Sequence, residues 1–200
     1  MLHKANKEHW KSPLNLLIEL LLVGAGVFLA LLANNWHEAR QHHELARITL
    51  RNFAKELRTN REDIQGKRAY HETLAREVRD VAASDEHLDT RRFFTATHWQ
   101  GLRPVFFEHT AWDLAVATQA LTYIPSDLAF TISSVYTQQN AFQTYENSFV
   151  GAVLTPANSS DARALAASIN GYLIDVNIRE AALLEAYDKV IPEVEQAIRR

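Results

Sequence analysis

The chain has 200 residues, a formal net charge of −3 at pH 7 and no cysteine, and 47% of its residues are hydrophobic. This length allows one modest domain plus an anchor, and the hydrophobic share suffices for a packed core. Interspersed charges of both signs exclude a general basic surface for nucleic acid. The lack of cysteine excludes disulfides, thiolate catalysis and cysteine-based metal sites.

The N-terminal part of the chain has the pattern of a membrane anchor. A basic tail, residues 1–12, precedes an apolar run over residues 14–33. As a helix, this run is long enough to cross a hydrocarbon core of about 30 Å. Ser12 and Pro13 form a helix start signal, an N-cap followed by proline at the first helical position. We predict a transmembrane helix over residues 13–36, since a cleaved signal peptide, the alternative, has a shorter apolar core.

Flanking residues predict the depth and the orientation of this span. Trp10 and Trp36 are 26 residues apart, about 39 Å along a helix, which matches the separation of the two interfacial zones where tryptophan is enriched. We therefore predict both as membrane-interface anchors. The tail carries Lys4, Lys7 and Lys11, and under the positive-inside rule these lysines favour a cytoplasmic N-terminus with an extracytoplasmic C-terminal domain.

One side of the predicted span carries small and polar residues. Gly26 and Ala30 have the spacing that lets two helix backbones approach closely in lipid. Glu19 is ionisable, and inside a span such a residue is costly unless it is neutral, paired or near the headgroups. We favour self-association through this face. The alternatives are that Glu19 reaches the headgroups without a function, or that it lines an ion or proton path. The predicted oligomer interface comprises Glu19, Gly26, Ala30, Ala33, Asn34 and His37.

Beyond the span the pattern is helical to the end of the chain. No glycine or proline occurs from residue 37 to residue 65, so we predict stalk helices over residues 37–83, with an apolar stripe that needs a partner helix. Residues 84–200 have apolar positions at helical spacing and no convincing strand alternation. The predicted fold is all-α: an N-terminal transmembrane helix continues into a stalk helix, and an antiparallel extramembrane helical bundle follows.

Local signals place several helix starts within this bundle. Thr110 and Asp113 have the spacing of a capping box, which predicts a short helix through Leu121. Pro125 and Ser126 are predicted to start the next helix, and Ser160 and Asp161 to cap the long final one.

Aromatic side chains are concentrated between residues 92 and 123, before the second half of the bundle. Such a concentration is typical of an apolar pocket for a small ligand or a lipid. The candidate pocket residues are Phe93, Phe94, Trp99, Phe106, Phe107, Trp112 and Tyr123.

Two segments together carry a family resemblance. Residues 26–40 read Gly-Val-Phe-Leu-Ala-Leu-Leu-Ala-Asn-Asn-Trp-His-Glu-Ala-Arg. This segment resembles the membrane-exit signature, roughly G-[IV]-F-L-A-x-x-x-N-N-W-x-E-x-R, of a family of uncharacterised bacterial single-pass membrane proteins. Residues 110–121 and 134–136 are similar to the helical core of the same proteins. The resemblance implies a bacterial inner-membrane location and an all-helical extramembrane domain, and it carries over no catalytic residues.

The search for chemistry in the sequence is negative. His37, His42 and His43 cluster with Glu38 and Glu44, but only one Glu–His pair has the spacing of shared metal ligands, so a polar interfacial helix is the favoured interpretation. The sequence has no nucleophile elbow, no phosphate-cradling glycine loop and no H-E-x-x-H motif. We predict no catalytic residues, no metal and no cofactor, and we expect that the protein is not an enzyme.

These observations favour a membrane-anchored structural or interaction protein. We expect it to self-assemble through its span and a coiled-coil-like stalk, as a structural or accessory component of a bacterial membrane complex. Its expected partners are the lipid bilayer, copies of itself and another membrane or envelope protein, and not nucleic acid. The alternatives are a ligand- or lipid-binding module that uses the aromatic pocket, and a small ion or proton channel that uses Glu19.

Overall fold

The computed structural model describes residues 13–84, 87–153 and 161–199. These residues form five α-helices and no strand, which confirms the predicted all-α class. The helices are α1 (Pro13–Ser84), α2 (Thr90–Ala96), α3 (Thr110–Ala117), α4 (Ser126–Val153) and α5 (Ala162–Ile198), and a 3₁₀ helix, Ala120–Tyr123, lies between α3 and α4.

The chain divides into two compact units, of which the first is Met1–Glu44. Its described part is the apolar beginning of α1, and the side chains from residue 14 to residue 41 are all exposed. This part of the helix is long and apolar enough to cross a membrane. The segment is therefore compatible with the predicted membrane anchor. Trp10 and the rest of the basic tail lie outside the described residues.

The second unit, Leu45–Arg200, has a continuous apolar core to which α1, α4 and α5 contribute. Helices α1 and α5 pack antiparallel, because the residue numbers of the contacts fall along α5 as they rise along α1. Arg61 donates from Nε to Oδ1 of Asp188 (2.8 Å), and further along α1 His71 bonds to Glu180 (2.7 Å between Nδ1 and Oε1). The predicted antiparallel arrangement is confirmed.

Most of the predicted stalk belongs to this second unit. Phe53, Leu57 and Ile64 of α1 are 0% exposed, so the apolar stripe that needed a partner finds it within the same chain. The compact unit begins at Leu45, whereas the sequence pattern placed the start of the bundle at residue 84. Gly66 does not interrupt α1, so the stalk region contains one helix.

The predicted starts of the last two helices are confirmed. Helix α4 begins at Ser126. The side chain of Asp161 caps α5, because its Oδ1 atom accepts hydrogen bonds from the amides of Arg163 (2.9 Å) and Ala164 (3.3 Å). These amides are among the N-terminal donors that a helix cannot satisfy by itself.

The predicted capping box at α3 is wrong. The helix begins at Thr110, so the N-cap position is His109, whose side chain makes no capping hydrogen bond. The helix also ends at Ala117 and not at Leu121, because Gln119 adopts a left-handed conformation (φ 56°) that starts the 3₁₀ helix.

A residue of α1 caps α3 from a distance. Glu56 Oε2 accepts a hydrogen bond from the amide of Ala111 (2.8 Å), and its Oε1 accepts one from the hydroxyl of Tyr136 in α4 (2.6 Å). Glu56 is only 5% exposed. One buried carboxylate therefore joins α1, α3 and α4, and its charge lies at the helix end that favours an anion.

We expect Glu56→Ala to destabilise the second unit by about 2–4 kcal/mol, because it leaves a buried amide and a buried hydroxyl without an acceptor. Glu62→Ala is the matched control, since Glu62 is an exposed residue of the same helix, and it should change the free energy of unfolding by less than about 0.5 kcal/mol. Urea unfolding followed by circular dichroism measures both changes. Equal effects of the two variants would show that Glu56 has no capping role.

Candidate functional site

The segment between α2 and α3 has no regular structure and is fixed by α1. We call residues 98–109 the strap. Loops of this length without secondary structure are uncommon in compact domains, and their backbone polar groups still need hydrogen-bond partners. Six side chains of α1 supply partners to the strap backbone: Asn60, Asp63, Lys67, Tyr70, His71 and Glu77.

The contacts run along one face of α1. Asn60 makes two bonds to Glu108, donating from Nδ2 to its carbonyl (2.9 Å) and accepting from its amide (2.8 Å). Lys67 donates to the carbonyl of Pro104 (2.7 Å). From Asn60 to Tyr70, the α1 residues that bond to the strap recur every three or four positions, which is the spacing of residues on one side of a helix. The strap therefore runs antiparallel to α1.

Tyr70 bonds to the strap beside Gly101. The Tyr70 hydroxyl donates to the carbonyl of Gly101 (2.6 Å) and accepts from the amide of Gln100 (2.9 Å). Gly101 has a φ of +85°, a conformation that L side chains rarely adopt, so glycine is favoured at this position. Arg103 lies over the Tyr70 ring, with its guanidinium carbon 5.2 Å from the ring centroid.

A buried polar cluster lies beneath the centre of the strap. His71 bonds through Nδ1 to Oε1 of Glu180 (2.7 Å) and through Nε2 to the carbonyl of Leu102 (2.9 Å). Glu146 Oε1 accepts from the amide of Val105 (3.0 Å). His71, Glu146 and Glu180 are each 0% exposed. The cluster therefore joins α1, α4, α5 and the strap inside the unit.

Tyr172 of α5 adds a hydroxyl that donates to Glu146 Oε1 (3.3 Å). The remaining oxygens, Oε2 of Glu146 and Oε2 of Glu180, are buried and have no hydrogen-bond partner among the described residues. Leaving a buried carboxylate oxygen unpaired is costly when the group is ionised, so the cluster favours protonated forms.

The geometry fixes the proton count of the His71–Glu180 pair. A carbonyl oxygen only accepts, so Nε2 of His71 carries a proton toward Leu102. One further proton must lie between Nδ1 and Glu180, because two lone pairs would otherwise face each other at 2.7 Å. The pair is therefore an imidazolium with a carboxylate, or a neutral imidazole with a carboxylic acid, and in either form it is neutral overall.

Burial and neighbouring charge shift the pKa values of this cluster in the same direction. Burial raises the pKa of Glu146 to about 7, although the Val105 amide, the Tyr172 hydroxyl and His71 partly oppose that shift. For His71, burial alone lowers the pKa, but the hydrogen bond and the charge of Glu180 outweigh it and the pKa is raised. Both groups therefore hold protons at a higher pH than they would in an unfolded chain.

Sequence reasoning missed the cluster, although the residue pattern contains a signal for it. His71 falls in the apolar stripe of α1 between Ile64 and Val78, at intervals of seven residues. Glu146 and Glu180 likewise interrupt the buried stripes of α4 and α5. A polar residue at a stripe position on three separate helices indicates a shared buried network, because a single buried carboxylate without a partner is rare.

The arrangement does not have the character of a metal site. Across residues 13–84, 87–153 and 161–199, no group of three or more histidine, aspartate or glutamate side chains is placed to hold a metal ion.

The predicted oligomer-interface residues lie in the first unit, and all of them are exposed. A Cβ added at Gly26 would meet nothing within 4 Å. Asn34 donates to Glu38 (2.7 Å) and His37 bonds to Gln41 (3.0 Å), in both cases one helical turn away. Self-association through Glu19, Gly26, Ala30, Ala33, Asn34 and His37 stays a prediction.

The predicted interface anchor Trp36 is 67% exposed, and the guanidinium carbon of Arg40 lies 5.9 Å from its ring centroid.

The candidate pocket residues are distributed over several places in the second unit. Phe93, Phe94 and Trp99 form one aromatic group, in which Phe93 is fully buried and the Phe94 and Trp99 ring centroids are 5.4 Å apart. Phe106 and Tyr123 are exposed.

The last two of the seven candidates pack on other parts of the core. Phe107 packs on Phe142, with 5.7 Å between ring centroids. Trp112 packs on Tyr136 (5.1 Å) and lines an open depression of about 400 Å³ beside them. Phe93, Trp99, Phe107 and Trp112 therefore serve the packing of α2, the strap and α3 on the core.

Comparisons of the chain with protein-family models, with curated proteins and with solved structures gave no match. The family resemblance of the membrane-exit segment therefore stays a prediction.

We expect the second unit to lose stability as the pH rises from 6 to 9. A raised folded-state pKa contributes stability that is fully present below the unfolded-state pKa and is lost as the pH rises through the folded-state value. The carboxyl group of Glu146 has a pKa of 4.5 in the unfolded chain and about 7 in the folded one, so its contribution to stability is lost between these two pH values. The raised pKa of His71 also makes stability fall as the pH rises. The expected loss due to Glu146 alone is about 1–2 kcal/mol.

Urea unfolding at pH 6 and pH 9 measures this difference. Glu146→Gln should reduce the pH dependence, because an amide still accepts from Val105 but does not titrate in this range. Glu62→Gln, on an exposed face, should leave the pH dependence as it is. A stability that rises with pH, or equal slopes for Glu146→Gln and the unsubstituted chain, would show that the cluster does not titrate as described.

Proposed function

We propose that the protein is a membrane-anchored, non-enzymatic helical protein that self-assembles through its span and serves as a structural or accessory component of a bacterial membrane complex. The observation that carries the proposal is the contrast between the two units. The side chains of residues 14–33 are largely apolar and entirely exposed, whereas the large apolar side chains of the second unit are mostly buried. A continuous exposed apolar surface of this length needs lipid and partner helices to cover it.

The small and polar face of the span supports self-association in lipid. A Cβ added at Gly26 would meet no other atom of the single chain within 4 Å. Packing within one chain therefore does not explain a glycine at this position. Between two copies, Gly26 and Ala30 would allow close backbone approach, and Glu19 would gain a polar environment shared by the copies.

The buried cluster supports a structural role for the second unit. His71 and Glu180 are 0% exposed, and their bonded atoms reach only each other and the strap. A catalytic acid or base has to come within hydrogen-bond reach of a substrate. Because the strap covers the cluster, its polar groups act in holding the fold.

The proposed location follows from the same features. The basic tail favours a cytoplasmic N-terminus, with the second unit on the extracytoplasmic side of the inner membrane. Membership of the family with the membrane-exit motif is part of this proposal and rests on residues 26–40.

Replacement of Gly26 by leucine should break the assembly, because the larger side chain separates the backbones at the proposed interface. Gly24→Leu is the matched control, since residues 24 and 26 lie about 200° apart around a helix and a Cβ at either glycine meets nothing in the single chain. The native mass of the complex, extracted gently from membranes, measures the outcome for both variants.

We expect the unsubstituted chain and Gly24→Leu to give the same integer multiple of 22.7 kDa, and Gly26→Leu to give a smaller one. Unchanged assembly in Gly26→Leu would disprove the proposed span interface. A monomeric mass for the unsubstituted chain would disprove self-assembly itself.

A further inference from the structure

The strap is held at its centre by titratable side chains buried beneath it. The carbonyl of Leu102 accepts a hydrogen bond from His71, and three residues later the amide of Val105 donates one to Glu146. Toward the end of the strap that leads into α3, Asn60 holds Glu108 through an amide side chain that does not titrate. The central bonds therefore depend on protonation, whereas the bonds to Glu108 do not.

The titratable and charged groups around His71 come from several elements that pack together. The strap contributes only backbone atoms to the cluster, and its nearest charged side chain, Arg103, lies over Tyr70. The charged residues of α2, Arg91 and Arg92, are exposed. The titratable side chains in the cluster are His71 from α1, Glu146 from α4, and Tyr172 and Glu180 from α5.

The charge buried beneath the strap depends on how many protons the polar cluster holds. With the shared proton on the His71–Glu180 pair and a proton on Glu146, the cluster is neutral. When both protons leave, Glu146 and Glu180 are anions and His71 is neutral, so a charge of −2 is buried. Neutral His71 then has one N–H for two acceptors, and it loses its bond to Glu180 or its bond to Leu102.

We propose that the strap is a pH-dependent latch, closed while Glu146 is protonated and His71 bonds to both Leu102 and Glu180, and detached at its centre when Glu146 and His71 each lose a proton. Detachment relieves the buried charge, because lifting residues 102–105 admits water to both carboxylates. It also uncovers Val105, which is 0% exposed in the closed state. The raised pKa of Glu146, about 7, places the transition near neutral pH.

The absence of native cysteine permits a direct test with single thiols. Val105→Cys places a thiol under the closed strap, and Val190→Cys places one in the α5 core; both valines are 0% exposed. The rate of labelling by a maleimide in the full-length protein in detergent is measured from pH 6 to pH 9. Glu62→Cys, an exposed position of α1, gives the pH dependence of the thiol itself. Val190→Cys reports opening of the whole unit, which release of the same protons also favours.

We expect the ratio of the Val105→Cys rate to the Glu62→Cys rate to rise by about tenfold or more between pH 6 and pH 9, since each proton released on opening contributes up to about tenfold per pH unit. Val105→Cys should also react faster than Val190→Cys at every pH, because the strap opens more readily than the whole unit. Adding Glu146→Gln and Glu180→Gln to Val105→Cys should flatten the rise. Circular dichroism at each pH shows that the helices remain folded.

Two results would overturn the proposal. A Val105→Cys rate that equals the Val190→Cys rate at every pH, or that stays constant relative to Glu62→Cys from pH 6 to pH 9, would show that the strap does not open separately from the core in response to pH. A rise that persists unchanged after both glutamine substitutions would show that other groups control the opening. The first result needs no substitution in the cluster, so the test does not depend on the folding of the glutamine variants.

Discussion

The fold of the second unit depends on hydrogen bonds between the side chains of α1 and the backbone of the strap. Twelve residues without regular structure run along α1, and their buried and half-buried backbone groups would be costly to leave without hydrogen-bond partners. The side chains of Asn60, Tyr70 and His71 supply many of the hydrogen-bond partners that the strap backbone would otherwise find within a helix or a sheet. Glu56 extends the same face of α1 to the first turn of α3. One helix thus shapes a segment that has no regular structure of its own.

This solution has an electrostatic consequence. The polar side chains beneath the centre of the strap are buried, and those of His71, Glu146 and Glu180 are titratable. Burial raises the pKa of Glu146. Burial lowers the pKa of His71, but the hydrogen bond and the charge of Glu180 outweigh it, so that this pKa is raised as well. The second unit thus combines an apolar core with a buried polar cluster whose contribution to stability depends on pH. The first unit has no such cluster among its described residues, and its exposed apolar surface is suited to lipid.

The sequence was sufficient for the helices and insufficient for the strap. Apolar periodicity and the cap at Asp161 predicted the all-α class and the starts of α4 and α5, because these features are local. The capping box at Thr110 was wrong because Glu56, 55 residues away from Ala111, provides the cap. Aromatic residues from 93 to 123 are spread over α2, the strap, α3 and the 3₁₀ helix, and ligand binding by them stays a prediction. Non-local hydrogen bonds decide these features, and the only local trace of them is a polar residue such as His71 in an apolar stripe.

Amide hydrogen exchange at pH 6 tests the central claim most directly, because it reports each strap amide separately. We predict that the amides of Val105, Phe106 and Glu108 exchange at least about a hundredfold more slowly than the same amides in an unstructured chain. The reason is that each of them donates a hydrogen bond to a side-chain acceptor. The amide of Arg103, for which no such bond is described, serves as the internal comparison. Exchange of all four amides at the rate of an unstructured chain would contradict the claim that the side chains of α1 and α4 hold the strap.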